Sequence, residues 1–248
     1  MAERREFYVN KGSTYVFDMT GEVSDELLHG WSVTAGREEQ NGKIFCKTDY
    51  GYCGYVKLTD LSQGEYSATY RVVSRFCDVL ENEKYSGVPI ATLPLGSLVK
   101  VIEECGRFSA IEYNSQKLYV PTALLEGLSD APNATPEGII ACAKRYIDSP
   151  YRWGGKTPCG IDCSGLCFMA YYLNGMKIYR DARFPFYCDY EIPAEKLRPA
   201  DLVFFKGHVA LYIGDGKIIH SNSADGKTVI SQLDKSRIVG CASLYAIM

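Results

Sequence analysis

Along the first 130 residues, apolar and polar positions alternate in short runs and show little helical spacing. YVFDM, SVTAGRE, KIFCKTD and YVKL, then SATYRVVSRF, SLVKVIEE, FSAIEYN and LYVPTALL, are rich in Val, Ile, Tyr and Thr and are separated by Gly, Asn or Asp. β-Branched and aromatic residues suit a pleated, half-buried surface, so a series of short strands is predicted. The series occurs twice. LLHGWSVTAGREEQNGKIFCKTDYGYCGYVKLTDL and ATLPLGSLVKVIEECGRFSAIEYNSQKLYVPTALL each run through a strand, an acidic turn and a second strand to Tyr-Val and a closing Leu. Two repeats of about 60 residues predict two small β-barrels.

The period changes after the polar, Pro-containing stretch from Ser129 to Glu137. Thr135 is a candidate N-cap with Pro136 at the first helical position, and Ile139, Ile140, Ala143, Tyr146 and Ile147 recur at helical spacing. A second helix is predicted after Asp162, with Leu166, Met169, Ala170 and Leu173 on one face and Asn174-Gly175 at its end. Residues 198–220 read as strand, turn, strand, tight hairpin, strand. The whole is α+β, with divisions predicted at 1–66, 67–130 and 131–248.

A length of 248 residues suits two or three modules with real cores. Hydrophobic content of 46%, 23% charged residues and a net charge of -3 lack the basic excess that nucleic-acid binding needs. The charged start is followed by no long apolar run, and no window approaches about 18 apolar residues, so no signal peptide and no membrane insertion are predicted. With Met1 as the natural start the protein stays in the cytoplasm; loss of a leader would leave the same appearance and a secreted or wall-associated protein.

The stretch GIDCSGLC raises the question of chemistry, because Cys163 could be a metal ligand, half of a disulfide, a core residue or a nucleophile. Ten cysteines in a chain of this length do not make a small disulfide scaffold, and with no C-x-x-C and only three histidines, at 29, 208 and 220, structural zinc is a weak reading. At the first turn of a buried helix, unpaired N–H groups and the dipole would lower the thiol pKa and could hold an oxyanion. Cys167 lies one turn deeper and reads as core. Cys159 reads as packing, and His29 as an ordinary core or surface residue.

A thiol nucleophile needs a base, and His208 and His220 sit on the arms of the predicted hairpin. If Gly214-Asp215-Gly216 is a three-residue loop, Ala210 pairs with His220, and His208 lies on the same face as His220, diagonal to it at about 7 to 8 Å between Cα atoms. A two-residue turn would pair Leu211 with His220 and send the rings to opposite faces. With the rings adjacent, His208 is the candidate base and His220 the group that fixes its tautomer.

Two resemblances follow from these residues. Gly51-Tyr52-Cys53-Gly54-Tyr55-Val56 in the first repeat and Tyr119-Val120-Pro121 in the second are similar to the closing segment of bacterial SH3 modules, although Gln116-Lys117-Leu118 stand where the second would have glycines. From about residue 135 onward, Tyr151-x-Trp153-Gly154-Gly155, Asp162-Cys163-Ser164-Gly165, Arg180-Asp181-Ala182, Asp201-Leu202-Val203-Phe204-Phe205, His208-Val-Ala-Leu-Tyr-Ile-Gly-Asp-Gly and His220 resemble the NlpC/P60 cysteine peptidases. Ala200 departs from the glycine usual before Asp-Leu-Val-Phe-Phe. The resemblance implies a papain-like α+β catalytic domain after two SH3-like barrels, with Cys163, His208 and His220 as the catalytic set.

The same resemblance implies a substrate. Members of this family cut peptidoglycan stem peptides, commonly between D-γ-glutamyl and the diamino acid. Tyr151 would place its hydroxyl at the scissile carbonyl, and Asp162 and Ser164 would contact substrate. In relatives with two such modules the first closes one end of the cleft and holds the free amine of an N-terminal L-Ala, a role that falls here on Glu22 and Tyr52. Stem peptides already detached from glycan are then the expected partner of a monomer with no cofactor and no metal. A wall-binding scaffold over a dead peptidase fold, or an amidase or acyltransferase on the same cysteine, are the other readings.

Overall fold

The computed structural model describes residues 5–130 and 134–244. Residues 131–133 of the polar stretch and residues 1–4 of the charged start lie outside the described residues. The chain divides into two compact units, Met1–Ala131 and Pro132–Met248.

In the first unit, alternation in the sequence becomes alternation of burial. Lys43–Thr48 buries Ile44, Cys46 and Thr48, and Cys53–Lys57 buries Gly54 and Val56. Both belong to a seven-stranded antiparallel sheet whose order is Val23–Leu28, Ser13–Phe17, Cys53–Lys57, Lys43–Thr48, Ser32–Gln40, Arg5–Val9, Leu61–Gln63. A second sheet runs Gln116–Pro121, Phe108–Tyr113, Leu98–Cys105, Tyr70–Val72, Leu125–Gly127. The pair Phe76–Val79 and Ala91–Pro94 joins it through the Leu80 to Tyr119 bridge, around a core that includes Val72, Val79, Leu93 and Ile111. Among the described residues the hydrogen-bonded order of each sheet stays open and does not close into a ring. Val23–Leu28 escapes a hydrophobic pattern because it buries two carboxylates, with Asp25 accepting from Tyr50 Oη at 2.5 Å and Glu26 from Ser13 Oγ at 2.7 Å.

The two sheets of this unit meet through polar backbone and aromatic rings. Trp31 Nε1 donates to Gly96 O at 3.0 Å, and Leu98 N to His29 O at 2.8 Å. The His29 ring is buried between Tyr66 and Tyr113, and burial pulls its pKa down to about 4. It is a core residue.

The second unit begins with α1 (Pro136–Lys144), whose N-cap Thr135 accepts from Gly138 N at 3.1 Å. The helix ends before Tyr146, which packs in the turns beyond it. Helix α2 (Cys163–Tyr172) is buried from Cys163 through Tyr171, so it is a core helix on all sides rather than one with a single apolar face. It stops in a reversed turn in which Met176 N donates to Tyr171 O and Gly175 N to Tyr172 O. Against α2 pack the central strands of a five-stranded antiparallel sheet in the order Lys227–Gln232, Lys217–Asn222, His208–Gly214, Leu202–Phe205, Gly240–Ala242. Ala200, just before the Leu202 strand, has φ +73°, which explains why glycine suits that position; a left-handed alanine costs about 1 kcal/mol.

Candidate active site

The mouth of α2 is held by a buried ion pair. Asp162, with extended backbone at φ -96° and ψ 178°, caps the helix by accepting from Gly165 N at 2.6 Å, while its second oxygen accepts from Gly154 N at 2.7 Å. Arg180 grips both carboxylate oxygens, Nη1 to Oδ1 and Nη2 to Oδ2 at 3.0 Å each, and Nη1 also donates to Ser164 Oγ at 2.7 Å. The two side chains are only 2% and 7% exposed. Such a fork against a carboxylate adds geometry as well as energy. Gly165 completes the fit, since a Cβ there would lie 2.2 Å from the Gly155 carbonyl oxygen. The Gly154-Gly155 loop and the first helical turn are therefore packed backbone against backbone.

Cys163 stands in that first turn and is 6% exposed. Burial pushes its thiol above the usual range and the Asp162 charge adds to this, while the Val209 and Ser164 backbone amides and Arg180 pull it down by less. Desolvation outweighs the helix terminus here, so the direction is opposite to the lowering expected from the dipole. Cys167, fully buried one turn on, is pushed much further up. All ten cysteines are free.

The two histidines share a face. His208 Nε2 and His220 Nδ1 are 2.8 Å apart, with ring centroids at 5.1 Å and planes at 65°. His220 Nε2 in turn lies 3.1 Å from Ser231 Oγ. The register behind this differs from the expected loop. Gly214 pairs with Lys217 across a two-residue Asp215-Gly216 turn with both φ positive, which alone would set the rings apart. A bulge between Tyr212 and Gly214 then shifts the pairing by one residue, giving Leu211 opposite Ile219, and continuing that register sets Ala210 opposite His220. Burial, then the His220 and Arg237 charges, bring the His208 pKa down to about 4 against a weaker opposite pull from Asp162; burial also lowers His220.

One cleft of about 420 Å³ is lined by Tyr151, Cys163, His208, His220 and Ser231. Tyr151 enters it from a strand-like bridge to Ile161, and its hydroxyl pKa is raised by burial and by the facing Cys163, so it remains a donor. Asp162 and Ser164 are buried beneath, engaged by Arg180, and do not line the cleft. Glu22 and Tyr52 belong to the first unit, where Tyr52 Oη donates to Ser24 O at 3.3 Å, two residues from exposed Glu22. Sequence reasoning missed Ser231, although it sits two residues beyond Val229, the partner of His220, and so on the same face. It also gave Arg180 no contact. Among the described residues no cluster of His, Cys, Asp or Glu could hold a metal, and no helix is long and apolar enough to cross a membrane.

Residues 148–239 match the profile of the NlpC/P60 family. Dipeptidyl-peptidase 6 of Lysinibacillus sphaericus is 34% identical over 238 residues, which span 88% of this chain and 87% of that protein. A gamma-D-glutamyl-L-lysine dipeptidyl-peptidase of Bacillus subtilis is 37% identical over 103 residues, 38% of this chain and 34% of that protein. Among solved structures, a NlpC/P60 family protein from Bacillus cereus shares the fold with a TM-score of 0.83 at 18% identity, covering 96% of this chain and 99% of that one.

Proposed function

The chain belongs to the NlpC/P60 family and is a cysteine peptidase, and from that premise we propose that it hydrolyses the γ-D-glutamyl to diamino acid bond of peptidoglycan stem peptides. The observation that carries this reading is the single cleft that holds the Cys163 thiol together with a hydrogen-bonded pair of imidazoles. Support for the substrate class comes from the relatives named for gamma-D-glutamyl-L-lysine cleavage.

The chemistry follows from the geometry. His220 engages Nε2 of His208, which leaves His208 Nδ1 as the ring nitrogen able to take a proton from Cys163. Proton transfer accompanies attack: Sγ bonds to the carbonyl carbon as its proton passes to His208. Negative charge on the carbonyl oxygen is met by the Cys163 N–H at the helix start and by the Tyr151 hydroxyl. The imidazolium then gives its proton to the departing amine, and water, deprotonated by the same ring, releases the acyl group from sulfur. Asp162 and Ser164 act by fixing the helix mouth through Arg180.

Glu22 and Tyr52 supply a carboxylate and a phenol near one another on the first unit, chemistry suited to a free L-Ala ammonium. The preferred substrate is accordingly L-Ala-γ-D-Glu-diamino acid with its amino end free. Incubation of the protein with L-Ala-γ-D-Glu-diaminopimelate, its N-acetyl form and intact murein is expected to release L-Ala-D-Glu from the first alone, and Cys163→Ala to release none. Equal cleavage of all three rejects the amine preference; no cleavage of any rejects the substrate.

A further inference from the structure

The two walls of the catalytic cleft differ in charge. Tyr151 and Cys163 bring a phenol and a thiol to the cleft, whereas the segments that follow the Leu202–Phe205 strand and the Lys227–Gln232 strand bring Lys206 and Arg237. Lys206 lies in the two-residue turn between Phe205 and His208, which pair across it. Arg237 ends the short turn Lys235–Arg237, and Val239 N donates to Phe204 O at 2.8 Å, which brings that turn alongside the end of the Leu202–Phe205 strand. Both cations are exposed, and among the described residues neither forms an ion pair, although, beyond the Ser236 hydrogen bonds, the Arg237 charge pulls the Asp234 carboxyl down. Asp234 is the one carboxylate lining this wall, and its Oδ1 accepts from Ser236 N and Oγ. Two positive groups against one negative leave the wall positive.

Position relative to the base decides what this wall meets. The charge of Arg237 acts on His208, whereas the charges acting on Cys163 are those of Asp162 and Arg180. His208 must touch the amine that leaves, so groups beyond it face the atoms attached to that nitrogen. In a peptide that ends at the residue supplying the amine, a free carboxylate sits on the adjacent carbon. In a longer peptide the same carbon carries a neutral amide.

We propose that Arg237, assisted by Lys206, binds the free α-carboxylate of the residue whose amine departs, so that the enzyme selects stem peptides ending at that residue over longer ones. A guanidinium matches a carboxylate with two parallel hydrogen bonds, and an ammonium beside it adds charge without fixing direction. The bound carboxylate also offsets the positive field of Arg237 at His208, which favours the imidazolium that must form during attack.

This inference rests on the γ-D-glutamyl reading, and its test separates the two. L-Ala-γ-D-Glu-L-Lys and its C-terminal α-carboxamide are compared with the unaltered protein, Arg237→Gln and Arg237→Lys. The unaltered protein is expected to favour the acid by roughly 10- to 100-fold in kcat/KM, carried mainly by KM. Arg237→Gln loses most of that preference while cleaving the carboxamide within about threefold of the original rate, and Arg237→Lys keeps part of it. Equal kcat/KM on acid and carboxamide, or an equal fall on both in Arg237→Gln, overturns the carboxylate site and leaves the peptidase reading standing. Failure of the unaltered protein to cut either substrate overturns both.

Discussion

His208 Nε2 lies 2.8 Å from His220 Nδ1, and His220 Nε2 lies 3.1 Å from Ser231 Oγ, so one line of hydrogen bonds runs from the cleft to the outer strand of the sheet. A neutral partner suffices to orient His208, because the attacking pair generates one charge of each sign. His220→Ala is expected to lower kcat by about 10²- to 10⁴-fold with KM little changed, and Ser231→Ala by less than about tenfold. An unchanged kcat in His220→Ala would show that His208 holds its tautomer unaided.

The pH profile should carry the marks of a desolvated site. His208 accepts a proton only when neutral, and with its pKa brought down to about 4 the acid limb of kcat/KM falls near that value rather than near 6.5. The Cys163 thiol is raised above its usual value of 9.0, so iodoacetamide labelling of the free protein should increase with pH beyond 9.0. An acid limb near 6.5, or labelling complete at neutral pH, would mean that the resting site is a thiolate and imidazolium instead.

Arg180 and Asp162 form an ion pair sealed from solvent, and removing one leaves the other charged and buried. Arg180→Met is expected to lose about 3 to 5 kcal/mol of unfolding free energy in a denaturant titration. A loss below about 1 kcal/mol is what an exposed pair would give, and would show that Asp162 finds water at the helix mouth.

The bulge at Ile213 is what puts both imidazoles on one face. Deleting Ile213 removes the unpaired residue and keeps Ala210 opposite His220 across a regular two-residue turn, so both rings should stay on one face and kcat within about tenfold of the original. A fall as large as in His220→Ala would show that the bulge itself, and not the pairing it sets, holds the imidazoles together.

Local chemistry was legible from residues near each other in the chain. Thr135 before Pro136, and Asp162 before Cys163, mark helix starts because a capping oxygen meets amides within three residues. The hairpin arms were legible too, but the shared face of His208 and His220 was not fixed locally, since Gly214-Asp215-Gly216 suits either loop length and the face depends on a bulge. Val23–Leu28 was obscured because its buried Asp25 and Glu26 are balanced by Tyr50 and Ser13, partners supplied by a turn and by another strand.

By itself the sequence determined the strand-rich first unit, the α+β second unit and the placing of Cys163 at a helix start, all of which depend on periodicity and on hydrogen bonds between neighbours. Tertiary structure alone decided the desolvation of that cysteine, the grip of Arg180 on Asp162 and the reach of Ser231 to His220. The physical reason is that desolvation and long-range polar pairing depend on which segments enclose a group, and the order of residues along the chain does not encode that enclosure locally.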